Sequence, residues 1–161
     1  MKYGITGLNR IREMINSEEL KEKGRKQPQD FTRERKMGFS KVLKYNINKK
    51  GLPSAMEINK YFEEHDVESM STQAMLDQRK KLNPEVFKIL NTEYLKGFYT
   101  EHESSVKTYK GYVLKAVDGS DIEVPNTQGT REKFGEARGK SEESVARAGV
   151  SVLYDVLNNY I

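Results

Sequence analysis

The sequence predicts an α+β protein, with a helical region over residues 1–105 followed by a β-rich region over residues 106–161. In the first region, apolar residues recur every three or four positions, which is the spacing of one face of an α-helix. Residues 111–117 change to an alternation of β-forming residues, which is the period of a strand. This change of period places the boundary between the two regions near residue 105.

Five helices are predicted in the first region from periodicity and from the residues that begin and end helices. Gly24 ends the first helix, and Ser54 forms a capping box with Glu57 at the start of the third. Asn83 and Pro84 are typical of a helix start. The predicted helices cover residues 4–23, 38–48, 54–65, 72–82 and 84–101.

The third and fourth predicted helices have two interpretations. They could form a helix-turn-helix with residues 72–82 as the recognition helix. They could equally be two members of a helical bundle. The connection between them is longer than the usual three or four residues, which favours the bundle.

Residues 111–125 are predicted to form a β-hairpin. Asp118 and Gly119 are a common turn pair, the strand resumes at Ile122, and Pro125 ends it. This places the carboxylates of Asp118 and Asp121 where a strand meets a turn, a position from which a divalent metal can be bound. A structural turn without a metal would have the same sequence.

The remainder of the chain is predicted to be a loop followed by a strand. Residues 126–140 are polar and contain glycine, which indicates a mobile loop. Residues 141–144 could cap a helix, but the valines that follow alternate with polar residues and favour a strand.

Composition and charge narrow the class of protein. No apolar run approaches the roughly 18 residues of a membrane span, and no signal peptide is evident, so we expect a cytoplasmic protein without a membrane partner. The chain has no cysteine, which excludes disulfides and thiolate metal sites.

The charges are distributed unevenly along the chain. Residues 1–50 hold 14 Lys and Arg against 6 Asp and Glu, whereas the rest holds 14 Lys and Arg against 18 Asp and Glu. A basic first segment suits a polyanion, although a solvated charged surface would look the same.

Two groups of basic residues are the candidate DNA contacts. Arginine beside an aromatic ring suits phosphate contact together with base or sugar stacking, and the first group lies beside Phe31. The second group lies at the end of the predicted helix 72–82. The candidates are Arg33, Arg35, Lys36, Arg79, Lys80 and Lys81.

Four segments resemble, in order, parts of the transposases of the insertion sequence four type. The most informative is AVDGSDIEVPNT at residues 116–127, which resembles the first catalytic strand of that family. The others are DFTRERKMGF at 30–39, STQAMLDQRKKLNPEVF at 71–87 and ARAGVSVLYDVLN at 146–158. The resemblance covers roughly residues 28–161. It also implies a strand in the last of these segments that turns near Asn158 and Asn159 into a further strand.

The resemblance implies a ribonuclease-H-like core with a DDE metal triad, in which Asp118 matches the first aspartate. Asp118 would then bridge two Mg²⁺ ions that catalyse DNA cleavage and strand transfer at transposon ends. Asp121 and Asp155 match no triad position. The second aspartate and the glutamate lie far downstream in full-length members, beyond Ile161.

We therefore expect a truncated transposase, made of the N-terminal helical region and an incomplete ribonuclease-H-like β-meander. Its expected partners are transposon-end DNA and the full-length transposase, and we expect it not to cleave DNA by itself. The alternatives are a stand-alone DNA-binding module that regulates transposition, or a remnant without a function.

Overall fold

The computed structural model describes residues 2–33, 36–65, 68, 70–138 and 144–161. These form an α+β protein with two compact units, Met1–Glu103 and Ser104–Ile161. This confirms the predicted α+β class. Within the described residues, no helix has the length and apolar character needed to cross a membrane.

Helices build the described part of the first unit. Buried apolar side chains from several of these helices form one core, with Val42, Leu43 and Val86 fully enclosed. The helices are α1 (Lys2–Ile15), α2 (Glu18–Gly24), α3 (Phe39–Ile47), α4 (Ser54–Glu64), α5 (Thr72–Lys80) and α6 (Glu85–Glu101).

The first predicted helix is in fact two helices. The break falls at Ser17, whose Oγ accepts a hydrogen bond of 3.2 Å from the backbone N–H of Leu20 and so caps α2. Glu18 and Glu19 lie in the first turn, where their negative charges interact favourably with the positive end of the helix dipole. The apolar periodicity runs through both helices, which is why it predicted a single one.

The predicted capping box at α4 is also wrong. Ser54 is the first helical residue, and no side-chain hydrogen bond caps this helix. The carboxylate of Glu57 instead reaches back to the preceding loop, where its Oε1 accepts from the N–H groups of Lys50 at 2.7 Å and Leu52 at 2.9 Å. Glu57 therefore fixes the loop between α3 and α4.

The second unit contains a three-stranded antiparallel sheet of order β1-β3-β2. The central strand β3 (Ser144–Asp155) confirms the strand predicted from the valine alternation. It pairs with β1 (Lys115–Glu123) along residues 147–155 and with β2 (Glu136–Arg138) along residues 144–146. In a meander, strands that follow one another in sequence are neighbours in the sheet. The expected meander is thus wrong, because β2 comes between β1 and β3 in sequence but lies on the side of β3 opposite β1.

The predicted hairpin at Asp118–Gly119 is wrong, because β1 runs straight through both residues. Asp118 pairs with Val152 and Gly119 with Ser151, so the strand partner comes from β3 and not from the neighbouring sequence. A tight turn instead lies between Tyr109 and Tyr112, which exchange both backbone hydrogen bonds. Its central residues, Lys110 and Gly111, have φ of 51° and 84°, as a type I′ turn requires.

The predicted mobile loop contains a short helix, α7 (Gln128–Phe134). Thr127 and Thr130 form a reciprocal capping box at its start. The helix was missed because the prediction of a loop relied on the polar composition of the segment. The other interpretation of residues 141–144, a helix cap, falls largely outside the described residues.

The predicted turn after β3 is confirmed. Asn159 has a φ of 60°, and the N–H of Asp155 donates to the carbonyl of Tyr160 at 2.7 Å. Asp155 is 1% exposed, and its Oδ1 accepts from the backbone N–H groups of Leu157 and Asn158 at 3.2 and 3.1 Å. A buried carboxylate therefore organises this turn.

Candidate nucleic-acid interface

The end of α2 is hydrogen bonded to the end of α5. The N–H of Lys26 donates to the carbonyl of Lys81 at 2.9 Å, and the N–H of Asn83 donates to the carbonyl of Gly24 at 2.8 Å. These two bonds flank an antiparallel bridge between Arg25 and Leu82. The loop that follows α2 is thereby held against the end of α5.

That loop is also held by its own polar groups. Asp30 Oδ2 accepts from the N–H of Gln27 at 3.0 Å, and Thr32 Oγ1 donates to the carbonyl of Gln29 at 2.9 Å. Phe31 has a φ of 58°, in the left-handed region that a bulky residue seldom adopts. Packing holds it there, since the Phe31 ring meets the Phe39 ring edge to face at 5.6 Å.

The loop and α5 enclose a depression of about 260 Å³, which we call the Arg33–Lys81 hollow. Gln78 and Lys81 are three positions apart and therefore share one face at the end of α5. Lys81 Nζ donates to Gln78 Oε1 at 3.3 Å, which directs the ammonium along this face. The hollow is lined by Gln29, Asp30, Phe31, Thr32, Arg33, Met37, Gln78 and Lys81.

The charges of this hollow are suited to an anion. Within the part of the chain that the structure describes, neither Arg33 nor Lys81 forms an ion pair with a carboxylate. Asp30 is the acid in the lining, and its carboxylate accepts from the loop backbone. Because neither cation is ion-paired within the described residues, both can donate hydrogen bonds to phosphate oxygens without first breaking an internal ion pair there.

A second depression, of about 390 Å³, adjoins the first through Phe31, Thr32 and Arg33; we call it the Lys21–Lys41 hollow. Lys21 is paired with Glu18 at 2.5 Å, and Lys41 Nζ donates to the carbonyl of Lys36 at 3.3 Å. Neither lysine was among the predicted contacts. Lys41 could have been identified from the sequence, because it lies on the polar face of the predicted helix 38–48.

The other predicted DNA contacts that the structure describes lie elsewhere. Lys36 is paired with Glu68, and Lys80 with Asp77 at 3.0 Å. The hydrogen bond from Lys80 lowers the pKa of the Asp77 carboxyl. Arg79 is exposed and lines neither hollow. Arg35 lies outside the described residues.

Asp118, the predicted metal ligand, is an exposed residue in the middle of β1. On its face of the sheet the directly opposite residue is Val152. Directly paired residues share a face and neighbours along a strand alternate, so Asp121 and Asp155 lie on the other face. No three acidic or histidine side chains among the described residues could hold a metal ion together.

Comparisons with known proteins identify no relative of this chain. No family model matches it, and neither does any curated protein or solved structure. The geometry of the two units and the sequence resemblance are therefore the grounds for assigning a function.

Proposed function

We propose that the helical unit binds the phosphate backbone of DNA, with Arg33 and Lys81 as its central contacts. One observation carries the proposal: residues 48 positions apart in the chain line one hollow, and neither forms an ion pair with a described carboxylate. Nearby phosphates on a DNA strand could be contacted by two such cations. Phosphate contacts of this kind supply most of the affinity of sequence-independent DNA binding.

The surroundings of the hollow support an extended contact. Lys21 and Lys41 line the adjoining hollow, which shares Arg33 with the first. Residues 1–50, which contribute three of these four cations, carry a net charge of +8. A strand of DNA that lies across both hollows would meet positive charge along its path.

The resemblance to transposases supports a more specific proposal. The DNA would be a transposon end, and the second unit would correspond to the first strands of a ribonuclease-H-like core. A full-length transposase would then compete for, or share, the same ends. Mg²⁺ at Asp118 stays a prediction that needs further carboxylates, so DNA binding without cleavage is the function that we propose.

The test is DNA binding by fluorescence anisotropy as a function of salt concentration. Each phosphate contact contributes roughly 0.9 to the slope of log affinity against log salt concentration. The double variant Arg33→Ala/Lys81→Ala is expected to lower the steepness of this slope by about 1.8 and to weaken binding at every salt concentration.

The matched control is Arg12→Ala/Lys88→Ala, which removes the same charge from exposed positions outside both hollows. We expect it to keep most of the wild-type slope. Equal losses in the two double variants would show only a diffuse charge effect and would contradict the assigned contacts. The absence of binding by the wild-type chain at low salt would contradict the proposed function itself.

A further inference from the structure

The strand β1 forms one edge of the sheet, and its outer side is unpaired within the described residues. All nine of its residues are exposed, including Val117 at 72% and Ile122 at 53%. An exposed edge of this length is a template for another strand. Pro125 follows the strand but does not lie within it, so no proline interrupts pairing along β1.

The backbone groups that face outward can be identified from the register. The N–H of Val124 donates to Ala146 and the N–H of Val156 donates to Leu114, at 3.1 and 3.0 Å. Hydrogen-bonded pairs alternate along an antiparallel ladder, so the even-numbered residues of β1 bond to β3. The odd-numbered residues, from Lys115 to Glu123, therefore direct their N–H and C=O groups away from the sheet.

We propose that β1 pairs antiparallel with β1 of a second copy of this chain, about a two-fold axis at Gly119. The charged ends of the strand sequence KAVDGSDIE are complementary about that residue. Lys115 lies opposite Glu123 of the other copy at both ends, and Asp118 opposite Ser120. Opposite charges facing each other across strands stabilise a sheet, and Ala116 lies opposite Ile122.

Neighbouring registers are less complementary. An axis at Asp118 sets two aspartates directly opposite each other, and an axis at Asp121 does the same. Like charges directly opposite destabilise a sheet. An axis at Ser120 avoids this repulsion but shifts Lys115 opposite Pro125 and loses both ion pairs. The register about Gly119 is also the one that pairs all nine residues.

The occupant is a second copy because the complementary charges belong to β1 itself. The Lys115 ammonium lies 3.8 Å from the Asp155 carboxylate and is 41% exposed, so Glu123 of the other copy would add a second acid beside it. The pairing is isologous and uses the outer edge of both copies, so it closes at a dimer. The far edge of β3 is partly covered by β2 and Tyr160, which limits pairing there.

Single cysteines test both the dimer and its register, because the chain has none of its own. A Cβ at Gly119 meets nothing within 4 Å, so Gly119→Cys fits the single chain. Directly paired residues have Cα atoms about 5.5 Å apart, within the range of about 4.4–6.8 Å that a disulfide spans. Gly119→Cys is therefore expected to form a disulfide-linked dimer under mild oxidation.

The matched controls are Val117→Cys and Asp121→Cys on the same exposed strand. Each alone would place its two sulfurs several residues apart along the strands, roughly 13 Å, and neither is expected to cross-link. A mixture of the two variants is expected to form a 117–121 cross-link. Circular dichroism of each variant checks that it retains the fold.

Sedimentation equilibrium of the wild-type chain gives an independent result, expected at twice 18.6 kDa. A mass of one chain at the highest soluble concentration would overturn the proposal, as would masses that grow beyond the dimer. Equal cross-linking of all three single variants would overturn the register and indicate unspecific edge contact. A preferred 119–121 cross-link in a mixture would overturn it in favour of the axis at Ser120.

Discussion

Gly24 and Phe39 lie so close that a Cβ on Gly24 would be 2.6 Å from two carbon atoms of the Phe39 ring. Glycine is required here for space. The Phe39 ring in turn packs edge to face against Phe31, whose strained backbone leads directly to Thr32 and Arg33. The absence of one side chain at the end of α2 thus positions the loop that carries a proposed DNA contact.

Gly24→Ala is expected to destabilise the helical unit and to weaken DNA binding. An added methyl group in a filled core costs about 1–3 kcal/mol, and the displaced Phe39 ring would move Phe31. Denaturant unfolding and anisotropy measure the two effects. Gly4→Ala is the control, because a Cβ at Gly4 meets nothing within 4 Å; stability equal in the two variants would contradict the packing argument.

The stability of the helical unit is expected to fall in acid through Glu57. The hydrogen bond from the Leu52 N–H is the main cause that lowers the pKa of this carboxyl below its usual value of 4.5, aided by the N–H of Lys50 and opposed by burial. A lowered pKa stabilises the fold above the unfolded value and ceases to do so as the pH falls through the folded value.

Glu57→Gln should therefore have a lower Tm than the wild type at pH 6, and the difference should shrink below about pH 4.5. Other acids with a lowered pKa, such as Glu64 and Asp77, are present in both proteins, so they cancel in the difference. A Tm difference that is constant from pH 6 to pH 3, or that grows in acid, would show that the charge of Glu57 does not stabilise the loop.

Asp155→Ala is expected to loosen the turn after β3. The buried carboxylate accepts from the N–H groups of Leu157 and Asn158 and from Asn158 Nδ2, which also bonds to the carbonyl of Lys107. Loss of a hydrogen bond to a charged group costs about 1.5–3 kcal/mol. Hydrogen exchange at the Leu157 and Asn158 amides should accelerate, whereas the exposed Asp121→Ala should leave it unchanged.

The wild-type chain is expected not to nick supercoiled DNA in the presence of Mg²⁺, and Asp118→Ala is expected to bind DNA as the wild type does. Asp118 is one exposed carboxylate opposite Val152, and the described residues supply no partner acids for a metal there. Plasmid nicking and anisotropy are the measurements. Metal-dependent nicking that Asp118→Ala abolishes would mean that the site is completed in a way the fold does not reveal.

The sequence by itself determined the features that depend on local periodicity and on local caps. The alternation from Ala146 to Tyr154 predicted β3. The helix predicted near residues 38–48 was correct because its apolar residues have helical spacing and Gly38 marks its start. In each case neighbouring residues contain the whole of the signal.

Only the tertiary structure decided the features in which distant residues compete with local preference. Asp118–Gly119 is a turn pair in isolation, but pairing with Val152 and Ser151 of β3 holds it extended. Glu57 is a capping residue by position, yet the loop N–H groups of Lys50 and Leu52 bind its carboxylate. Arg33 and Lys81 line one hollow because the segment after α2 pairs with the end of α5, and local sequence does not predict that pairing.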